Sequence, residues 1–322
     1  MIVWWCGASI RRNMPLMMTG KGSVKGKVAL ITGATSGIGR AMALAFAEAG
    51  ASVVIGDVRE QPISGERPTA DIIRGSGGRA LFVLSDVADK SQVEALVREA
   101  LREFGRIDIL VNNAGIGHVS AVEHTPDKVL RRLVEINFYG AVYGVQAVLP
   151  AMRAQGAGHI INISSGAAVL GLPYAAIYAA TKAAIVRFSE ALRCELENSN
   201  IHVSTIYPDF TATDLALEVT TGDGMATRTV RSLNRQGIEK YGIPAAGLQT
   251  PEEVARAVLA CALRPRGEIY LSSRIRFSEL ARYLFPSALE REARLIRRSV
   301  QQFLEKVSKD GGGAVECRKM RD

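Results

Sequence analysis

Residues 27–57 read KVALITGATSGIGRAMALAFAEAGASVVIGD, and this stretch decides the fold. It opens on an apolar, partly β-branched run, Lys27–Thr32, with no polar alternation. Such a run suits a strand covered on both faces, as in a parallel sheet between helices. The loop Gly33–Gly39 follows, where glycine permits positive φ and the close backbone approach of a tight strand-to-helix turn. Arg40–Ala49 is alanine-rich and reads as a helix. Ala51–Asp57 reads as a second apolar strand, which completes a βαβ unit.

Outward from this unit the alternation repeats. Leu81–Leu84, Ile107–Val111, His159–Ile163 and His202–Ile206 read as strands, with helices at Ser91–Phe104, Asp127–Arg153 and Ala175–Asn198. The expected class is α/β: a doubly wound Rossmann-type parallel sheet with helices on both faces. The expected plan is an N-terminal extension at 1–24, expected to be disordered, and a dinucleotide-binding and catalytic body at 25–273. Within the body, 211–250 has weak periodicity and reads as a mobile substrate loop or short helices. An amphipathic helical extension follows at 274–310, then a flexible tail at 311–322. Thr250 and Glu253 flank Pro251 as a capping box that starts a late helix.

The chain has 322 residues, 48% of them apolar and 22% charged, enough for a sizeable core. Its net charge of +8 sits at the ends: residues 1–27 and 274–322 carry +5 each, leaving −2 for 28–273. A nucleic-acid binder concentrates basic charge on its folded body, so no nucleic-acid partner is expected. Cys6, Cys194, Cys261 and Cys317 are dispersed, and His118, His124, His159 and His202 lack ligand spacing. No metal site is expected, and a reducing, cytoplasmic setting fits. The apolar run Ile2–Cys6 is too short to span a bilayer. Arg11 and Arg12 follow that run rather than precede it, against a secretory signal. A disordered extension is the plain reading of this segment, and a true start at Met14, Met17 or Met18 is the alternative.

The glycine loop can seat a pyrophosphate, because a helix N-terminus presents free N–H groups and a positive dipole end. Asp57, at the end of the second strand, stands where a carboxylate accepts from ribose hydroxyls. It would repel a 2′-phosphate, which favours NAD over NADP, although Arg40 and Arg59 lie near enough to pair with a phosphate.

Tyr178 and Lys182 are four apart in AAIYAATK (175–182) and share one helical face. An ammonium close to a phenol lowers its pKa and makes Tyr178 a usable acid or base. GHIINISSG (158–166) ends in hydroxyls at a strand's C-terminal end. Ser165 can orient a substrate oxygen toward Tyr178, while Ser164 can simply satisfy backbone groups. Asn112-Asn113-Ala114-Gly115 follows another strand, and its small residues let a cofactor pass close to the backbone. Asn137 lies in the helical run Val134–Tyr143, where asparagine is a poor helix former, which points to a polar or water-holding role.

With these residues together, the chain resembles the short-chain dehydrogenase/reductase family over about residues 25–272. The matching motifs are TGATSGIG at 32–39, Asp57, Asp86-Val87, NNAG at 112–115, Asn137, ISS at 163–165 and YAATK at 178–182. The resemblance implies that Gly33, Ser36, Gly37, Ile38 and Gly39 line the dinucleotide. It assigns Asp86 and Val87 to adenine, and Asn113, Ala114 and Gly115 to the cofactor's path. Tyr178 becomes the general acid/base, Ser165 the oxyanion partner, and Lys182 the group that assists Tyr178 and holds nicotinamide ribose. Asn137 holds a water in a proton relay to Lys182. The family carries Pro-Gly after its sixth strand, whereas here Pro208 is followed by Asp209. Its cofactor-touching threonine corresponds to Thr211 or Thr213, with Thr213 favoured.

The implied reaction interconverts a secondary alcohol and a ketone; Leu215, Leu217, Val219, Met225 and Ile243 suggest an apolar or mixed pocket that a steroid, a long-chain alcohol or a smaller secondary alcohol would fit. A homodimer or homotetramer is implied as well. Beyond Leu271, apolar residues recur at helical spacing between arginines. That pattern suits a helix packed on the body or against another subunit, or a basic amphipathic segment on a membrane surface. A non-catalytic NAD(H)-binding sensor or scaffold is the alternative of another class, and the intact Ser165, Tyr178 and Lys182 set argues against it. An epimerase or dehydratase on a similar fold is disfavoured by the short C-terminal region.

Overall fold

β1 (Val28–Thr32) is buried along its whole length, and its residues face two cores alternately. Ala29 and Ile31 join Met42, Phe46 and Val258 on one side, while Val28 and Leu30 join Leu96, Val148 and Met152 on the other. Continuous hydrophobicity is what a strand needs when helices cover both faces. The chain is seen here as a computed structural model that describes residues 23–62, 65–211 and 249–285. It also describes strand backbone at 217–220, 227–230 and 315–316, and helical positions within 287–304.

The elements after β1 are α1 (Gly37–Glu48), β2 (Ser52–Asp57), α2 (Thr69–Gly75), β3 (Ala80–Leu84), α3 (Lys90–Phe104), β4 (Ile109–Asn112) and β5 (Gly117–Val119). There follow α4 (Asp127–Val134), α5 (Gly140–Gln155), β6 (Gly158–Ile163), α6 (Ala176–Glu195) and β7 (Ile201–Tyr207). Then come β8 (Leu217–Thr220), β9 (Thr227–Val230), α7 (Pro251–Leu263), β10 (Glu268–Tyr270), α8 (Ser273–Leu284) and β11 (Val315–Glu316).

Seven strands form one sheet in the order β3-β2-β1-β4-β6-β7-β10, and every pairing in it is parallel. The chain runs outward from β1 to β3, then restarts on the other side at β4. That reversal opens a crevice at the strands' C-terminal ends, between β1 and β4. α1 and α7 cover one face; α3, α5 and α6 cover the other. The expected sheet is present, with β10 as an added edge strand.

Two local features depart from the sequence reading. The helix expected over 127–153 is interrupted by a π-helical turn at Glu135–Tyr139. The expected loop or short helices of 211–250 include instead the strands β8 and β9, which pair antiparallel, with β8 parallel to β5. Local periodicity is weak there because pairing with β5, far back in the chain, stabilises these strands. β11 pairs with β9. The rest of that segment, and residues 1–22, lie outside the described residues.

At the opposite end of the sheet, Asp108 joins β1 to β4. Its carboxylate accepts from the Val28 N–H at 2.9 Å, from Lys27 Nζ at 3.1 Å and from Arg106 at 2.6 and 2.8 Å. Burial opposes its charge, but these donors outweigh the penalty and hold its carboxyl below the ordinary value. Asp108→Ala is expected to lower the unfolding free energy by about 2–4 kcal/mol, because it strands three donors around a desolvated site. Urea denaturation followed by circular dichroism checks this, and an unchanged midpoint would count against the assignment.

Candidate active site

The site begins at the end of β1. Thr32 Oγ1 accepts the backbone N–H groups of Asn113 at 3.0 Å and Ala114 at 3.1 Å. Asn113 Nδ2 returns the contact by donating to the Thr32 and Gly33 carbonyls at 2.9 and 3.1 Å. The two strand exits are thereby clasped. Asn113 is expected along a cofactor, and its side chain is used here to fix the loop. Gly33 adopts φ +65, and a Cβ there would meet Ala114 Cα at 2.8 Å. A Cβ on Gly39 would fall 2.0 Å from the Gly33 carbonyl, so glycine is required where the helix passes back over the loop.

Ser36 precedes α1 in extended conformation and makes no side-chain capping bond to it, and the first turn carries no acid. The contrast with Asp89 on α3 and with the Thr250/Glu253 capping box on α7 is clear. Gly37 and Ile38 thus start a helix whose leading N–H groups lack a side-chain cap at the crevice, as an anion site requires.

Asp57 ends β2 beside this loop. Its Oδ2 accepts the Thr35 N–H at 3.1 Å and the Thr35 hydroxyl at 2.7 Å, so one carboxylate oxygen shapes the turn. Arg40 is turned away from any phosphate role in this arrangement: it pairs with Glu66 at 2.9 Å and donates to the Arg67 carbonyl at 2.9 Å and Thr69 at 3.2 Å. Arg59 stays exposed. After β3, Asp86 Oδ1 accepts the Ala88 N–H at 3.0 Å, and Val87 is buried against Val93 and Ile136.

The reactive groups come from β6 and α6. Ser165 follows β6 and starts a short 3-10 turn, where its Oγ accepts the Ala167 N–H at 3.2 Å. Ser164, the local competitor, donates to the Lys182 carbonyl at 2.9 Å and has a structural task. Tyr178 is part-buried on the first turn of α6, within hydrogen-bonding influence of Ser165. Lys182 lies one turn later, buried, with Nζ donating to the Ile163 carbonyl at 3.1 Å and standing 5.9 Å from the Tyr178 ring centre. The helical spacing read from the sequence does bring the phenol, the ammonium and the serine to one end of the sheet.

The electrostatics differ from expectation. Burial pushes the Tyr178 phenol above its ordinary value, with the Ser165 hydroxyl acting in the opposite direction. The sequence reading has Lys182 lowering it; here burial decides the direction. The same burial pushes Lys182 down to about 8.

Asn137 sits in the π-helical turn and is buried. Its Oδ1 accepts the Ile116 N–H at 2.8 Å, and its Nδ2 donates to the Ile116 carbonyl at 2.9 Å and to Thr181 at 3.2 Å. A π-turn re-aims one side chain out of the helical register, and such turns recur at functional sites. Gly115 lies between these groups: a Cβ on it would be 3.2 Å from Asn137 Oδ1 and 3.4 Å from Lys182 Nζ. The open space kept by Gly115 and the uncapped start of α1 both fit a dinucleotide lying across the crevice.

On the other flank, the Pro208 carbonyl accepts the Gly166 N–H at 2.8 Å, and Thr211 Oγ1 donates to the Asp209 carbonyl at 2.8 Å. Asp209, where the family pattern has glycine, pairs with Arg274 of α8 at 2.8 Å, a partner that sequence reasoning missed. The ion pair directs this charge to the C-terminal extension. Thr213, Leu215, Met225 and Ile243 lie outside the described residues, as do the side chains of Leu217 and Val219.

Comparison with known proteins agrees with this geometry. A family model described as short chain dehydrogenase matches residues 27–224. An uncharacterized oxidoreductase of Thermotoga maritima is 34% identical over 246 residues, which are 76% of this chain and 92% of that one. The crystal structure of a short chain dehydrogenase/reductase from Burkholderia phymatum in complex with NAD superposes with a TM-score of 0.72 at 29% identity, covering 83% of this chain and 96% of that one. A 3-ketoacyl-(acyl-carrier-protein) reductase from Brucella melitensis, complexed with NADH, gives 0.63 at 32% identity, with 77% and 97% covered. A crevice at the β1/β4 switch point, a glycine-lined helix start and these likenesses lead to one conclusion: the chain belongs to the short-chain dehydrogenase/reductase family and is an NAD(P)-dependent oxidoreductase.

Proposed function

We propose that the enzyme interconverts a secondary alcohol and its ketone, of lipophilic or steroid-like character, with Tyr178 as general acid and base. The observation that supports this best is the meeting of Ser165, Tyr178 and Lys182 beside the space that Gly115 keeps open. NAD(H), when bound, supplies or accepts the hydride. In our reading Gly33, Ser36, Gly37, Ile38 and Gly39 hold its pyrophosphate and Asp57 its adenosine ribose. Asp86 and Val87 border adenine. Asn113, Ala114, Gly115, Pro208, Thr211 and Thr213 line the path to the nicotinamide, and Tyr178 and Lys182 meet its ribose.

The chain's own groups then divide the proton chemistry. In reduction, the Tyr178 hydroxyl donates its proton to the carbonyl oxygen, and the Ser165 hydroxyl donates a hydrogen bond to that oxygen as charge develops. The ammonium of Lys182 stabilises the phenolate left behind. Oxidation runs the same transfers backward. A phenol raised by burial holds its proton at neutral pH and is ready to donate. A lysine lowered to about 8 is still mostly charged there, by roughly ten to one at pH 7. Asn137 positions Ile116 and Thr181 around Lys182 and belongs with the proton relay.

We favour NAD over NADP, because Asp57 presents a carboxylate at the ribose position and Arg40 is engaged by Glu66. The free thiols of Cys194 and Cys261 suit a reducing, cytoplasmic setting. A homodimer or homotetramer is the assembly we expect.

Three outcomes test this reading. Tyr178→Phe is expected to bind NADH normally by fluorescence titration and to lose turnover by about 10²–10⁴-fold or more. Near-normal turnover would remove Tyr178 from the reaction. Asp57→Ala is expected to raise the NADP/NAD ratio of kcat/KM, and an unchanged ratio would remove Asp57 from cofactor choice. For reduction, kcat/KM is expected to fall as pH rises past about 8, when Lys182 loses its proton. Because this pKa is below its ordinary value, Lys182 penalises folding while charged, and that penalty is relieved as pH climbs from about 8 toward 10.5. A rate profile flat to the alkaline end would show that the ammonium is not needed.

A further inference from the structure

α8 packs on the body with its small side. Ile275, Ser278 and Ala281 are buried, whereas Phe277, Leu280, Leu284 and Phe285 are 66, 55, 58 and 59% exposed. Phe277, Leu280 and Leu284 fall at i, i+3 and i+7, which is one stripe of a helix. The usual amphipathic order is therefore inverted, with the bulky apolar residues facing out and a serine and an alanine facing in. Phe210 is 50% exposed, and its N–H donates to the same Asp209 oxygen that receives Arg274 from the start of α8. The apolar stripe thus begins beside the segment that leaves β7 for the active site.

We propose that α8 and Phe210 form a docking surface for an anionic lipid bilayer. Charge selects this occupant. Arg276 is exposed in the first turn of α8, next to the stripe, beside Arg274, whose charge is paired with Asp209. Between 274 and 302 the chain has seven arginines against three glutamates. An apolar stripe with a basic flank is the pattern of a helix lying in the plane of a membrane interface, with arginines on the phosphates. A second copy of the chain suits the surface poorly, because a two-fold contact sets each patch against itself and brings arginine onto arginine. With 12 residues, α8 cannot cross the hydrocarbon core, and no described helix is long and apolar enough to do so.

The docking helix is joined to the active site. Ile275 packs with Val169, Val186 and Tyr207, and a Cβ on Gly166, one residue past Ser165, would come within 2.6 Å of Ile275 Cδ1. Arg274 holds Asp209, and Gln249 Nε2 donates to the Leu271 carbonyl at 2.9 Å. A bilayer held against α8 lies beside the substrate side of the crevice, where an apolar alcohol or ketone dissolved in lipid can enter without crossing bulk water.

The test uses the full-length protein and vesicles of phosphatidylcholine alone or mixed with phosphatidylglycerol, at low and high salt. Wild-type protein is expected to sediment with the anionic vesicles, less so at high salt and weakly with phosphatidylcholine. The Phe277→Ser/Leu280→Ser/Leu284→Ser variant is expected to lose about tenfold or more in partitioning, with melting temperature and NADH binding unchanged. Arg276→Glu is expected to weaken binding to anionic vesicles only. A second readout does not depend on the triple variant: Leu280→Trp emission should shift to the blue on adding anionic vesicles. The proposal is overturned if wild-type protein stays in the supernatant, if the triple variant binds as well as wild type, or if the tryptophan emission does not move. It is also overturned if light scattering shows a lipid-free oligomer that the triple variant dissociates while neither protein binds vesicles.

Discussion

The hydroxyl of Thr32 accepts two consecutive backbone N–H groups from the exit of β4, and the architecture of the site depends on that clasp. β1 and β4 are neighbours at the point where the sheet reverses its winding, so their loops diverge and leave a crevice. Without a tie the two loops would be free to move apart, since backbone ordering costs about 1–2 kcal/mol per residue. Thr32 and Asn113 fix both loops with four hydrogen bonds, and Thr35 with Asp57 extends the tie to β2. The glycines make the arrangement possible, because at Gly33 and Gly39 a side chain would occupy the space of backbone atoms.

Against this rigid frame the protein holds Lys182, a charged group that burial disfavours. Lys182 is buried among Asn137, Gly115 and the Ile163 carbonyl, and desolvation lowers its affinity for the proton. A fold selected for stability alone would put an apolar side chain there. The same burial raises the Tyr178 phenol, so the two groups are pushed apart in pKa. Neighbouring titratable groups whose environment pushes their pKa values apart mark functional sites. The π-helical turn that aims Asn137 at Ile116 and Thr181 is a second local irregularity in the same place.

The substrate flank is assembled differently. There Asp209 replaces a small residue of the family pattern, and Arg274 neutralises it from the C-terminal helix. The extension is thereby part of the site's outer wall, and its position is coupled to the loop after β7.

The sequence by itself determined six of the seven strands of the main sheet, the glycine turn and the common face of Tyr178 and Lys182. These depend on residues a few positions apart, where periodicity, glycine spacing and helical geometry are set by the chain locally. Only the tertiary structure decided which polar groups meet. The Asn113–Thr32 clasp joins residues 81 apart, and the Arg274–Asp209 pair joins residues 65 apart. The structural task of Asn113 and the burial of Lys182 are not written in any local window, because strand order and packing set them. Desolvation is a property of the packed body, and it raises the Tyr178 phenol.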